Sequence, residues 1–296
     1  MTANLAGLSG GRLDMNVYYE NSAGQKFTLY GDGLTYIDIN ELHSWEWSYS
    51  LANRITGLGG DASYFARHPR TFELELRMRG MNHAEFINQM NTLHDVTEAD
   101  MIAAEPGRLY VDDQYLACYL AVSGSAPEHL KNSNFATRKV TVLAVEPYWC
   151  TPVSVTVNPS TDQPTNENGK KFNLKYSYRY GTGLSGATII NNHYSAAPAI
   201  IQFFGPIANP AITIAGVTYG VNETLTATDR IVIDQITHKI YKVSETGVKT
   251  NVFNSRNKNY DIFTPIPVGS NSIVYSGDFV VQVTMIQQRS ELKWTA

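Results

Sequence analysis

From Pro198 onward the sequence is a succession of short β-type runs separated by turn residues, and this pattern limits the fold more than any other feature. Eight or nine runs, such as AIIQFF, RIVIDQ and FVVQVTMI, are each bounded by Gly, Asn, Asp or Pro, with no helical pattern between them. Short strands at this spacing predict a β-sandwich over residues 198–296. The 18 tyrosines and the many Thr, Val and Ile residues favour strands along the whole chain.

Residues 1–150 predict a separate, mainly β domain, since 296 residues suffice for about two domains. The run RTFELELRMRG alternates in polarity, as in a half-buried strand, and its apolar face consists of Phe72, Leu74, Leu76 and Met78. Earlier runs such as NVYYEN, KFTLYG and WEWSY also predict strands, and Gly57–Asp61 predicts a flexible loop. Further strands are predicted over 100–105, in a pair over 108–123, and over 138–148.

One helix is predicted in this first domain, at about 82–98. Asn82 followed three residues later by Glu85 has the spacing of a capping box. The apolar stripe that should face a sheet consists of Phe86, Ile87, Met90 and Leu93.

Residues 151–197 differ in character and predict a connector with a β-hairpin arm. The polar stretch NPSTDQPTNENGKK is followed by KFNLKYSYRYGTGLSGATII, which alternates and contains a glycine-rich turn. An isolated hairpin is marginally stable in water. We therefore expect the arm to add strands to the sheet edge of a neighbouring molecule.

No pattern in the sequence predicts a catalytic, metal or cofactor site. The run Gly181–Gly186 matches the dinucleotide-binding pattern GxGxxG, but the β-branched residues after it predict a strand and not the helix that the motif requires. Asp112-Asp113 and the pair Glu73/Glu75 are better explained as turn and solvent-facing strand positions than as a glycosidase pair. The seven histidines show no metal-ligand spacing; they are at positions 43, 68, 83, 94, 129, 193 and 238. We expect a protein that is not an enzyme and that needs no cofactor.

Cys118 and Cys150 lie in apolar runs and predict two buried thiols rather than a disulfide bridge. The first residues lack the pattern of a secretion signal, and no apolar stretch approaches the roughly 20 residues needed to cross a bilayer. We expect a chain without a membrane span that is made and folded in a cytoplasm.

Exposed aromatic side chains leave a sugar-binding function open. The candidates for stacking on a glycan are Trp45, Trp47, Tyr49, Trp149, Tyr176, Tyr178 and Tyr180. Alternating aromatics also cover sheet faces and subunit interfaces, which is the interpretation that we favour.

Taken in order, several segments resemble the distal tail protein family of siphophage-type tails. In the first half these are the loop Arg67–Arg70, the strand FELELRMRG, a single helix ending in the stretch Leu93-His94-Asp95, the segment PGRLYVDDQYLACY and a closing VEPYW. In the second half they are FGPIANPAITIAG, RIVIDQITHKIY, Pro267–Gly277 and RSELKW. The resemblance covers nearly the whole chain, and a contractile-tail relative or a tail-like bacteriocin would show the same pattern.

The resemblance implies a virion component at the tail tip, made in the cytoplasm of the bacterial host. It implies an N-terminal β-sandwich with one helix and an extended β-arm, then a C-terminal galectin-like β-sandwich. Six copies of the domain 1–150 would form a ring, and the domain 198–296 would point outward. The implied partners are further copies of the chain, the tail tube protein, and the tail-associated and receptor-binding proteins. The alternative function is a carbohydrate-binding module or adhesin that contacts cell-wall glycan through the C-terminal sandwich.

The charge distribution suits a channel for DNA. Residues 1–150 carry 11 basic and 18 acidic side chains, a net charge of −7, whereas residues 151–296 carry 12 and 9, a net charge of +3. Six acidic halves around a bore would repel the phosphate backbone, so we expect DNA to pass through the ring without specific binding.

Overall fold

The structure is a computed structural model, and it describes residues 15–30, 35–37, 42, 47–123, 134–158, 185–275 and 279–293. The chain divides into two compact units. The first unit comprises residues up to Thr151 together with those from Gln288 onward, and the second unit comprises Pro152–Gln287. Both are mainly β and built of antiparallel strands, as the sequence predicts.

Within the described residues, the first unit contains one α-helix and nine strands that end before Trp149. A tenth strand begins at Trp149 and crosses the boundary between the two units. In chain order these are β1 (Val17–Glu20), β2 (Lys26–Tyr30), β3 (Thr35–Ile37), β4 (Ser48–Asn53), β5 (Gly60–Ala66), β6 (Arg70–Arg79), α1 (His83–Ala103), β7 (Gly107–Val111), β8 (Gln114–Ser123), β9 (Phe135–Ala144) and β10 (Trp149–Val157). The unit boundary falls within β10.

Strand β8 connects the two antiparallel layers of the first unit. Its first half pairs with β7 in the order β2–β1–β7–β8, and its second half pairs with β9 in the order β3–β6–β9–β8. The apolar face of β6 is buried as the alternation predicts, with Phe72, Leu74, Leu76 and Met78 in the core. Leu292 from the C-terminal segment packs into the same core.

The helix α1 begins as predicted but ends later. The Asn82 side chain caps it by accepting a hydrogen bond from the Glu85 backbone nitrogen (2.9 Å). The predicted strand over 100–105 is wrong, because α1 continues to Ala103 and ends where Ala104 adopts a left-handed conformation. Ile87 is exposed and does not belong to the buried stripe, which continues through Val96 to Asp100.

Asp100 extends the helix because its carboxylate has partners on distant residues. Oδ1 accepts a hydrogen bond from the Ser22 backbone nitrogen (2.7 Å), and Oδ2 accepts a short one from the Tyr19 hydroxyl. Asp100 is fully buried, and a buried carboxylate needs such donors. The helical geometry at its last turn is therefore set by strand β1 and the turn after it.

The second unit is a β-sandwich. One sheet has the order β19–β18–β17–β12–β21, and the other has the order β11–β20–β14–β15. Ile201 and Ile233 of the first sheet and Ile189 and Ile273 of the second pack into one core. The strands are β11 (Ser185–Asn191), β12 (Ala199–Phe204), β13 (Ile207–Ala208), β14 (Ala211–Ile214), β15 (Val217–Gly220), β16 (Thr224–Leu225), β17 (Arg230–Asp234), β18 (Lys239–Val243), β19 (Lys249–Asn251), β20 (Gly269–Tyr275) and β21 (Val280–Arg289), with a 3-10 turn at Phe253–Ser255.

The predicted arm lies largely outside the described residues, which break off after 158 and resume at Ser185. The residues that follow Gly181–Gly186 form β11, so a strand and not a helix follows this glycine-rich run, as predicted. Strand β11 pairs with β20 over its whole length.

The two cysteines are free and buried, which confirms the prediction of buried thiols. Burial raises the pKa of both thiols, that of Cys150 to about 12. At pH 8 about one Cys150 thiol in ten thousand would be a thiolate, the form that reacts with disulfide reagents.

We therefore expect the native protein to react with an aromatic disulfide reagent at pH 8 far more slowly than a free thiol does. In guanidinium chloride, where burial is lost, both thiols should react within the mixing time. The release of thiolate, followed by absorbance, measures this difference. Fast reaction of either thiol in the native protein would show that the buried environment described for it is wrong.

Candidate functional surface

The most exposed apolar surface in the described chain is the hairpin formed by β4 and β5. The two strands pair only with each other, and nearly all their residues are exposed. The exposed apolar side chains on it are Trp47, Tyr49, Leu51, Ile55, Leu58, Tyr64 and Phe65, with exposed fractions from 48% to 106%. Contiguous apolar surface of this kind marks an interaction site in a soluble protein. We call residues 47–66 the exposed hairpin.

The tip of the exposed hairpin is a tight turn with its own ion pair. Gly57 and Gly59 adopt positive φ angles of 72° and 77°, which glycine tolerates without strain. Arg54 and Asp61 form a salt bridge of 2.7 Å across the turn, and both side chains are more than half exposed. The predicted flexible loop at Gly57–Asp61 is therefore the turn of a hairpin, and its last two residues already belong to β5.

The base of the exposed hairpin is held by Arg67. Its guanidinium lies between the rings of Trp47 and Tyr148, at 4.6 and 4.2 Å from their centroids, and Nη1 donates a hydrogen bond to the Pro147 carbonyl (3.2 Å). Cation–π contacts of this kind are each worth about 0.5–1 kcal/mol at partly exposed sites. The hairpin is thus anchored at its base, while its strands and tip remain uncovered.

A cluster of buried and half-buried tyrosine rings lies on strands β1, β7 and β8. Tyr18 and Tyr110 stack with centroids 4.6 Å apart, and Tyr115 follows at 5.6 Å from Tyr110. Lys26 lies over Tyr18, and Arg108 lies over Tyr115. Burial raises the pKa of the Tyr115 and Tyr18 hydroxyls, so these two side chains serve packing rather than acid–base chemistry.

Of the predicted sugar-stacking aromatics, the structure describes three, and it places them in two different environments. Trp47 and Tyr49 lie on the exposed hairpin, whereas Trp149 is completely buried in the core of the first unit. Trp149 is therefore excluded as a stacking platform, because its ring is covered by the apolar face of the sheets. Trp45, Tyr176, Tyr178 and Tyr180 lie outside the described residues.

The carboxylates occupy the positions that the sequence predicts. Asp112 lies in the turn between β7 and β8 and accepts a hydrogen bond from the Asn16 backbone nitrogen (2.9 Å). Glu73 and Glu75 project from the exposed face of β6, where they pair with Lys139 and Arg77.

Among the residues that the structure describes, no group of three His, Cys, Asp or Glu side chains could hold a metal ion. No helix in the described ranges is long and apolar enough to cross a membrane.

Sequence reasoning missed the exposed hairpin as a unit. Its signal is present: the alternating run Ser48–Asn53 and the run Gly60–Ala66 flank a turn rich in glycine. The exposure of both its faces could not be inferred, because the same residue types also form strands covered by a second sheet.

These observations define a mainly β protein of two units that carries an uncovered apolar hairpin on the first. Solved structures similar to this chain include chains of phage assemblies. A chain of the phage P2 baseplate in its activated conformation with Ca has a TM-score of 0.64 at 12% identity, over 94% of this chain and 99% of that chain. A structure of the same baseplate with Sr gives a TM-score of 0.63 at 12% identity, with the same coverage.

The Dit protein of phage SPP1, described as a paradigm of the hub adsorption apparatus in phages that infect Gram-positive bacteria, has a TM-score of 0.51 at 7% identity. The match spans 93% of this chain and 99% of that one. No protein-family model and no curated protein matches the sequence. At these identities the likeness establishes the fold, which both units share with a phage hub protein.

Proposed function

We propose that this protein is a structural hub of a bacteriophage tail tip. The observation that carries the proposal is the likeness to phage baseplate and hub proteins over nearly the whole chain, including both units. A match confined to one β-sandwich would carry little weight, because single sandwiches occur in many unrelated proteins. Here a single match spans both units of this chain and nearly the whole length of the matched chain.

In this proposal the chain is a distal tail protein that assembles as a closed ring of six. The ring joins the tail tube to the tail-associated and receptor-binding proteins, and its bore lets DNA pass. Residues 1–150 form the ring, and the second unit, a galectin-like sandwich, faces the adhesion apparatus. The protein is not an enzyme, and its place is the virion.

The exposed hairpin supports self-assembly. Seven apolar side chains with exposed fractions of 48% to 106% are costly to leave in water, at about 25 cal/mol for each Å². A contact in which the hairpin of one copy meets a different surface of the next copy is head-to-tail, and such contacts give rings when the rotation closes.

The native mass of the purified protein tests this proposal. We expect a species of six copies of the 32.9 kDa chain, about 197 kDa, together with closed rings in negative-stain electron microscopy. Native mass spectrometry at several protein concentrations distinguishes six copies from other numbers. A monomer at every concentration up to the solubility limit, without rings, would contradict the proposal.

A further inference from the structure

A shallow, open cleft lies on the surface of the second unit. It has a volume of about 560 Å³ and is lined by residues between Phe253 and Phe263. We call it the aromatic cleft.

The loop that forms the aromatic cleft is rigidly built. Val252, Ile262 and Ile266 anchor it in the core of the second unit. Buried Gln235 donates hydrogen bonds from Nε2 to the carbonyls of Ile262 (3.3 Å) and Thr264 (3.1 Å). A loop fixed in this way loses little conformational entropy when it binds a ligand.

The floor of the cleft is an ordered stack of rings. Phe253 and Phe263 are nearly parallel, with centroids 6.0 Å apart, and both pack against the core. The Arg256 guanidinium lies 4.1 Å from the centroid of Phe253 and donates a hydrogen bond to the Phe253 carbonyl (3.0 Å). Arg256 is therefore engaged in holding the loop and offers little free charge to a ligand.

The rim of the cleft carries polar groups that the protein itself does not use. In the described chain, the side chains of Lys258, Asn259 and Tyr260 have no hydrogen-bond or ion-pair partner, and Tyr260 is 47% exposed. Asp261 accepts a hydrogen bond from the Phe263 backbone nitrogen through Oδ1 (3.0 Å), and its other oxygen faces no donor among the described residues. The rim thus offers donors, acceptors and an aromatic ring within four consecutive residues.

We propose that the aromatic cleft binds a neutral saccharide unit of a glycan. Sugar hydroxyls both donate and accept, so they match an ammonium, an amide and a carboxylate placed side by side. The apolar face of a sugar ring matches the face of Tyr260. A phosphate-rich ligand fits poorly, because the Asp261 carboxylate opposes it and Lys258 is the one uncommitted cation of the cleft.

Titration of the purified protein with maltotriose, lactose and the trimer of N-acetylglucosamine, followed by saturation-transfer and chemical-shift NMR, tests this site. We expect at least one of these neutral sugars to bind with a Kd on the order of 1 mM, as suits an open cleft. Tyr260→Ala should weaken that binding roughly tenfold through loss of stacking, and Tyr260→Phe should retain most of it.

The matched control is Tyr194→Ala, which removes another exposed tyrosine of the second unit (68% exposed) and should leave sugar binding unchanged. Three results would overturn the proposal: no binding of any neutral sugar, equal binding by Tyr260→Ala and wild type, or binding of trigalacturonate alone. The ring proposal does not depend on these results, since the native mass tests it separately.

Discussion

Replacing Leu51, Ile55 and Phe65 together with serine should abolish self-association while leaving both units folded. The three side chains are 67%, 106% and 61% exposed, so their removal costs the folded monomer almost no packing. If the exposed hairpin is the contact between copies, these residues form the apolar centre of the interface. Central apolar residues of an interface contribute about 2 kcal/mol each, so the triple variant should weaken association by roughly four orders of magnitude.

Sedimentation velocity over a range of protein concentrations measures this effect, and circular dichroism and thermal unfolding confirm that the fold is retained. The control variant replaces Ile190, Val248 and Val268 with serine, which removes three comparably exposed apolar side chains (53%, 61% and 53%) from the second unit. The control should assemble like the wild type. If the hairpin variant assembles normally, the ring contact lies elsewhere on the molecule.

Asp100→Ala should be the most destabilising substitution of a polar residue in the first unit. It removes the acceptor of the Tyr19 hydroxyl and of the Ser22 backbone nitrogen and leaves a cavity in a fully buried position. Hydrogen bonds to a charged group contribute about 1.5–3 kcal/mol each, so we expect a loss of roughly 3–5 kcal/mol in the free energy of unfolding. Asp100→Asn keeps a carbonyl acceptor and should lose about half as much.

Denaturant unfolding followed by tryptophan fluorescence measures this loss, because all four tryptophans fall within the residues of the first unit. The matched control is Asp95→Ala, which removes a carboxylate from the exposed side of the same helix and should change stability by less than about 0.5 kcal/mol. A loss below about 1 kcal/mol for Asp100→Ala would mean that the contacts of Asp100 with Tyr19 and Ser22 contribute little.

The exposed hairpin and the aromatic cleft show the limit of sequence reasoning about the sites. Tyr49 and Leu51 have the composition and alternation of an ordinary half-buried strand, and only the lack of a covering element makes them a candidate interface. The cleft residues Phe253 and Phe263 are ten positions apart in an irregular segment. No periodicity links them, so only the folded loop brings their rings together.

The sequence by itself determined the features that depend on neighbouring residues. The alternation of β6 has the two-residue period of a strand, so its buried face followed directly from the order of residues. The start of α1 followed from Asn82 and Glu85, because a capping box is a contact between residues three apart. The short, turn-bounded runs after Pro198 likewise predicted the β-sandwich of the second unit.

Tertiary structure decided what depends on residues far apart in the chain. The end of α1 is set by Asp100, whose partners Ser22 and Tyr19 are 78 and 81 residues away. Burial of Trp149 and exposure of Trp47 could not be distinguished from the sequence, since the same ring suits a core or a surface. The difference arises because the sheets of the first unit cover Trp149, while nothing in the described chain covers the hairpin beyond its anchor at Arg67.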